Sequence, residues 1–76
     1  MKFKILDTVV LARDLPTHGL KKDDLGAVVE LYEPDGLEVE FVMASGRTKV
    51  LATLHMGDVR SAGDTDLMSV RPLTTT

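Results

Sequence analysis

The stretch LKKDDLGAVVELYEPDGLEVEFV, residues 20–42, decides the fold: two strands and a tight turn, opened by four charged residues and a glycine. In its last part, Val39 and Phe41 fall on one side while Glu38 and Glu40 fall on the other. That alternation is the pattern of a half-buried antiparallel strand. The turn before it, "EPDG", places Pro34 where a fixed φ is wanted and Gly36 where a positive φ is wanted. Residues 26–32 and 37–43 are therefore read as paired strands. The charged corner Lys21–Asp24 crosses one end of the domain in solvent. Gly26 then opens the strand where another backbone comes close or the strand coils sharply.

Working outward, "ASGR" supplies Gly46 for a second turn and leads into a strand at 48–54. Upstream, the β-branched run "KILDTVVLA" predicts a first strand over about 5–12. It is joined to the hairpin by "RDLPTHGLKKDD", residues 13–24, a loop long enough to carry a function or to be packed by its own side chains. Leu15 and Leu20 are the residues expected to pack it. Downstream, "HMGD" reads as a single 3₁₀ turn and "VRS" as a short fifth strand. "DLMSVRPL" is a sixth strand, an edge-packed segment, or a brief helical turn capped by Asp66. Helical periodicity is weak throughout.

The expected architecture is thus all-β: a small SH3-like barrel of five to six antiparallel strands with one short 3₁₀ turn. Rolling the sheet removes most edges, which a short chain needs. Residues 1–76 form one domain, with 73–76 a frayed tail. The expected core is Val9, Leu11, Leu20, Val28, Val39, Phe41, Leu51, Leu54 and Val59.

At 76 residues the chain is near the lower limit for a fold held by one unstapled core, and it has no cysteine for a disulfide or thiolate metal site. Hydrophobic residues make up 43%, mostly aliphatic, so a core can form without staples. No stretch approaches the roughly 20 apolar residues of a membrane helix, and the N-terminal run lacks the layout of a signal peptide. The reading is cytoplasmic, with no membrane partner. The formal charge of −3 is concentrated in the second half, which weighs against a nucleic-acid binder.

Several residues then match a larger pattern: Asp7-x-Val9-x-Leu11, Asp14-Leu15-Pro16-x-x-Gly19-Leu20, Gly26-x-Val28-Val29, Val39-Glu40-Phe41 and Thr53-Leu54. From about Leu6 to Val59 the chain resembles a family of small bacterial proteins catalogued as a domain of unknown function (DUF4926-like). The resemblance implies a small β-barrel and no particular activity. Such modules are encoded beside other small bacterial proteins, toxins among them, which implies an antitoxin or immunity role by association only. One departure stands out: the family's Gly-Asp before the second strand is Asp23-Asp24 here. Asp tolerates a left-handed φ at a cost of about 1 kcal/mol relative to Gly.

Among candidate sites, His18 and His55 would need carboxylates such as Asp14 or Asp58 to hold a metal; the plainer reading is two surface histidines. Ser45, His55 and Asp58 assemble a nucleophile set only on paper, because Ser45 sits in a hairpin tip with no nucleophile elbow. No enzyme activity and no cofactor are expected. Glu30, Glu38 and Glu40 form a solvated outer face, with Lys49 or Arg47 as cross-strand partners. A proline-rich ligand groove would need more aromatics than Phe3, Tyr32 and Phe41. The preferred contact surface is the long loop, with Arg13, Asp14, His18, Lys21 and Lys22 on it and Tyr32 as a nearby anchor. The expected partner is another protein, or a second copy in a homodimer. A nucleic-acid accessory role at the Arg13/Lys21/Lys22 end, or a metal- or ligand-binding barrel, is the alternative.

Overall fold

In the computed structural model, residues 1–43, 46, 49–63, 71 and 72 are described, with the Lys49 side chain excepted. They form five antiparallel strands: β1 (Thr8–Leu11), β2 (Leu25–Tyr32), β3 (Gly36–Val42), β4 (Lys49–His55) and β5 (Val59–Ser61). There are two short 3₁₀ turns rather than the one expected: η1 (Pro16–His18) inside the long loop and η2 (Met56–Asp58) between β4 and β5. The strands make one open sheet in the order β4-β3-β2-β1-β5. The segment read as a sixth strand lies largely outside the described residues, as do 73–76.

The alternation expected of β3 is what orients the sheet. Leu37, Val39 and Phe41 point inward, opposite Leu54, Ala52 and Val50 of β4. Val28 of β2 pairs with Val39, and Val9 and Leu11 of β1, with Val59 of β5, complete that side. Beyond Val28 the register of β2 against β3 shifts by one residue before Glu30. An extra residue in one strand bends it and increases its twist, which coils β2 so that it serves both β1 and β3.

Three sequence expectations change. Leu51 is 52% exposed, because β4 places Ala52 and Leu54 inward and so turns Leu51 to the outer face opposite Glu40. Phe3, outside any strand, is buried in its stead. The first strand begins at Thr8 and not near residue 5. The Asp7 carboxylate accepts the Lys4 N–H at 2.9 Å and Asp7 N–H donates to the Lys4 carbonyl at 3.1 Å, closing a turn. In that turn Leu6 takes a φ of +74° and stands 76% exposed. The β2–β3 turn also differs: its Glu33–Pro34 peptide is cis, and Gly36 does not have the positive φ expected of it. Gly36 is instead the first residue of β3, where a Cβ would stand 3.1 Å from Tyr32. Gly46, by contrast, has the positive φ read from "ASGR".

On the outer face, Thr53 lies opposite Glu38 and donates its hydroxyl at 2.6 Å, while Lys49 faces Val42. In register, Glu38 lies opposite Thr53 and Glu40 opposite Leu51 of β4, and Glu30 faces Glu38 directly. Arg47 lies outside the described residues.

Gly26 is the position where close approach governs the fold. A Cβ there would lie 2.7 Å from Val39 Cγ1, 2.9 Å from Phe41 Cε1 and 3.0 Å from the Glu40 carbonyl oxygen. Contacts that short in a packed interior force backbone or rotamer shifts. Gly26→Ala is expected to destabilise the domain by about 2 kcal/mol or more, lowering Tm by roughly 10 °C in a thermal melt. A variant with unchanged Tm would show that β2 and β3 have room to separate.

Candidate functional site

The long loop leaves β1 and returns to β2 through a closed base. Asp23 N–H donates to the Leu11 carbonyl at 2.9 Å, and Leu11 N–H donates to the Asp24 carbonyl at 2.9 Å. Reaching that geometry requires Asp23 to take a φ of +76°. This is the position where the sequence departs from the glycine of the resembling family, and Asp fills it in the left-handed conformation. Because the Asp23 side chain is exposed, its conformation alone sets the cost. Asp23→Gly is expected to be at least as stable as the native chain, and Asp23→Ala less stable than Asp23→Gly by about 1 kcal/mol. Urea titrations of the three proteins check this ranking.

Inside the loop, Leu15 and Leu20 form an isolated antiparallel bridge, and both are buried, as their spacing suggested. Pro16 starts η1, and Gly19 closes it in the left-handed conformation with its N–H on the Pro16 carbonyl. Side-chain carboxylates fix the rest. Asp14 Oδ1 accepts the Lys22 N–H at 2.8 Å, and Asp24 Oδ2 accepts the Lys21 N–H at 2.9 Å. The loop is thus rigid through its backbone while the Lys21, Lys22 and His18 side chains stay exposed.

Among the described residues two ion pairs tie this loop to the rest of the chain. Arg13 Nε donates to Asp58 Oδ1 of η2 at 2.7 Å. At the other side Arg71 grips Asp24 with its fork, Nε to Oδ1 at 2.8 Å and Nη2 to Oδ2, and also reaches the Gly19 carbonyl at 3.3 Å. Arg71 also lines one side of an open recess of about 170 Å³, together with Asp14, Pro16, Gly19, Leu20 and Lys21. Burial pushes the Asp24 carboxyl up, but hydrogen bonds from Arg71 and the Lys21 amide outweigh it and hold the group below its ordinary value of 3.8. For Asp58 burial likewise acts upward and is outweighed by Arg13 and the His55 amide, with the same net downward direction.

The η2 turn is capped by its own ends. Gly57 N–H donates to His55 Nδ1 at 2.8 Å, and His55 N–H donates to Asp58 Oδ2 at 3.0 Å. With Nδ1 accepting, the ring proton sits on Nε2, 3.0 Å from Asp35 Oδ2 in the β2–β3 turn. His55 and Asp58 are therefore occupied in shaping the turn rather than arranged around a nucleophile; Ser45 lies outside the described residues. Among the described residues the His18 ring has one hydrogen bond, between Nδ1 and its neighbour Thr17 Oγ1 at 3.3 Å. Among the described residues no three His, Asp or Glu groups are placed to hold a metal ion.

Of the residues singled out in the sequence, Arg13, Asp14, His18, Lys21 and Lys22 share the loop, but in different roles. Arg13 and Asp14 hold it together, whereas the side chains of Lys21 and Lys22 make no ion pair among the described residues. Tyr32 is exposed at the far end of β2, about 23 Å from Leu25 at the rise of a strand, beside the β2–β3 turn. Two residues escaped sequence reading. Asp24 looked like one of four charges on a corner, and Arg71 belongs to a segment whose pattern named no partner.

Both lowered carboxyls link stability to pH with one sign. The unfolded chain binds protons on Asp24 and Asp58 at a higher pH than the folded chain does, so their contribution is complete above 3.8. It is lost as pH falls through the lower folded values. Urea stability measured from neutral pH to about pH 2 is expected to drop across this window, and Asp24→Asn and Asp58→Asn to be less stable at neutral pH with a shallower drop. Parallel curves for variant and native protein would refute the linkage.

Fold and site together define a small all-β domain with one open five-stranded sheet, a rigid charged loop at the β1–β2 junction and a capped 3₁₀ corner beside it. The family model described as "Domain of unknown function (DUF4926)" matches residues 5–61, and the chain belongs to that family. No curated protein and no solved structure matches it. Among the described residues no helix is long and apolar enough to cross a membrane.

Proposed function

We propose that this protein is a non-enzymatic protein–protein interaction module that works in the cytoplasm through the β1–β2 loop. The observation that carries the reading is the loop itself: its backbone is fixed by the Leu11–Asp24 base and by Asp14 and Asp24, while Lys21, Lys22 and His18 point into solvent. A preorganised loop on a rigid sheet binds with little ordering cost. The reading extends to the sheet, which we take to close as an SH3-like barrel, since β4 runs through η2 directly into β5 and β5 returns to β1. The proposed partner is another small protein, and an antidote role against a neighbouring toxin is the form of that reading the family association favours.

A second reading has its own observation. Among the described residues β4 pairs only with β3, which leaves a seven-residue edge free for a second copy. A nucleic-acid role draws less support, because Arg13 is already paired with Asp58 and Lys21 and Lys22 lie beside Asp14, Asp23 and Asp24.

Affinity capture from native cells, with a His18→Ala/Lys21→Ala/Lys22→Ala variant alongside, separates these readings. These three side chains are chosen because, among the described residues, Lys21 and Lys22 hold the loop through their backbone amides. One stoichiometric partner, retained by the native chain and lost by a variant of unchanged Tm, is the expected result. Capture of the chain's own copies alone, together with a dimer mass by light scattering, would replace the loop reading with the edge-paired homodimer.

A further inference from the structure

We infer that the long loop carries a socket for a guanidinium group, filled in cis by Arg71, and that the same socket takes an arginine side chain of the partner protein. This deepens the interaction reading and rests on it for the partner's identity, but not for the socket.

The geometry selects arginine. Both oxygens of Asp24 receive the parallel donors of one planar fork, and the Gly19 carbonyl accepts a further bond from the same Nη2. A lysine ammonium presents a point charge and cannot make the paired contact. The Lys21 amide, 2.9 Å from Oδ2, fixes the rotation of that carboxylate independently of Arg71. Beside the fork, Asp14, Pro16 and the buried Leu20 line an open recess together with Arg71 itself.

The occupant is dispensable to the sheet. Arg71 lies beyond Ser61, which ends both β5 and the family match. The loop is closed without it, since the Leu11–Asp24 base, the Leu15–Leu20 bridge and the Asp14 and Asp24 caps are all made within the loop and β1. Among the described residues, the further side-chain hydrogen bond of Arg71 is local: Nη1 donates to the carbonyl of its own neighbour, Pro72. An intramolecular ligand of this kind competes through its local concentration, on the order of millimolar when the tether is short. A partner that presents an arginine at a complementary surface displaces it, whereas free arginine at low concentration does not.

The test uses the full chain and small probes. Amide resonances of Gly19–Asp24 are followed by NMR while N-acetyl-arginine amide, and separately N-acetyl-lysine amide, are titrated into the native protein, Arg71→Ala, Arg71→Lys and Arg71→Ala/Asp24→Asn. The expected result is saturable shifts at Gly19–Asp24 in both single variants. Binding to the native chain should be at least about tenfold weaker, because its socket is mostly occupied. The lysine probe and the double variant should give no saturable response. Equal binding by native and single-variant chains, or none by either single variant, would overturn the proposal. Loss of a folded spectrum in both single variants would also overturn it, by making Arg71 a structural staple. If the socket binds arginine amide while affinity capture returns no loop-dependent partner, the interaction reading fails and the socket stands. If a loop-dependent partner is captured and no arginine response is seen, the reverse holds.

Discussion

Everything at the loop end of this domain depends on the exchange of hydrogen bonds between Leu11 and the Asp23–Asp24 pair. That exchange closes the loop at its base, continues the β1–β2 ladder by one more step, and delivers Asp24 with its carboxylate turned back toward the loop. From there the same residue caps Lys21 and receives Arg71. A loop of this length without such a closure would carry the entropy of many free backbone torsions, at about 1–2 kcal/mol per residue. Buried Leu15 and Leu20 supply the apolar contribution that keeps it folded down.

The second organising feature is the η2 corner, where three residues turn the chain from one edge of the sheet to the other. His55 and Asp58 serve both as its caps and as its outward connections. Asp58 joins it to the loop through Arg13, and His55 joins it to the β2–β3 turn through Asp35. Three connections separated in sequence thus come together through short, directional bonds. Because Arg13, His55 and Asp35 are exposed, each bond is worth only a fraction of a kcal/mol to about 1 kcal/mol in stability. Their effect is on placement.

The sheet was legible because its signals are local. Alternation in Leu37–Val42, the turn residues around Gly46 and the crowding implied at Gly26 each follow from a few adjacent residues. What sequence reading missed depends on distant neighbours or on competition with a local bond. Leu51 looks like a core residue until the β3–β4 register assigns the inward positions to Ala52 and Leu54. The run at Ile5–Asp7 looks like strand until the Asp7 carboxylate closes a turn on Lys4. At the candidate site the loop was recognisable by length and charge, and most of its singled-out residues do share it. Which of them hold the loop and which are displayed was not readable, because carboxylates bonded to backbone amides leave no spacing signature. Arg71 illustrates the limit: an arginine in a polar tail gains a role only from the carboxylate it meets.

The position of β5 has a consequence for how the chain assembles. β2, β3 and β4 are successive in sequence and pair with their immediate neighbours, so this meander forms from short-range contacts. The β1–β5 ladder instead joins residues near opposite ends of the family domain, Val9 with Ser61 and Leu11 with Val59. Long-range pairings of that kind set the pace of folding, since the intervening chain must be ordered before they form. The meander can thus form before β5 docks, and β1, with the loop it carries, waits on one edge for its last neighbour.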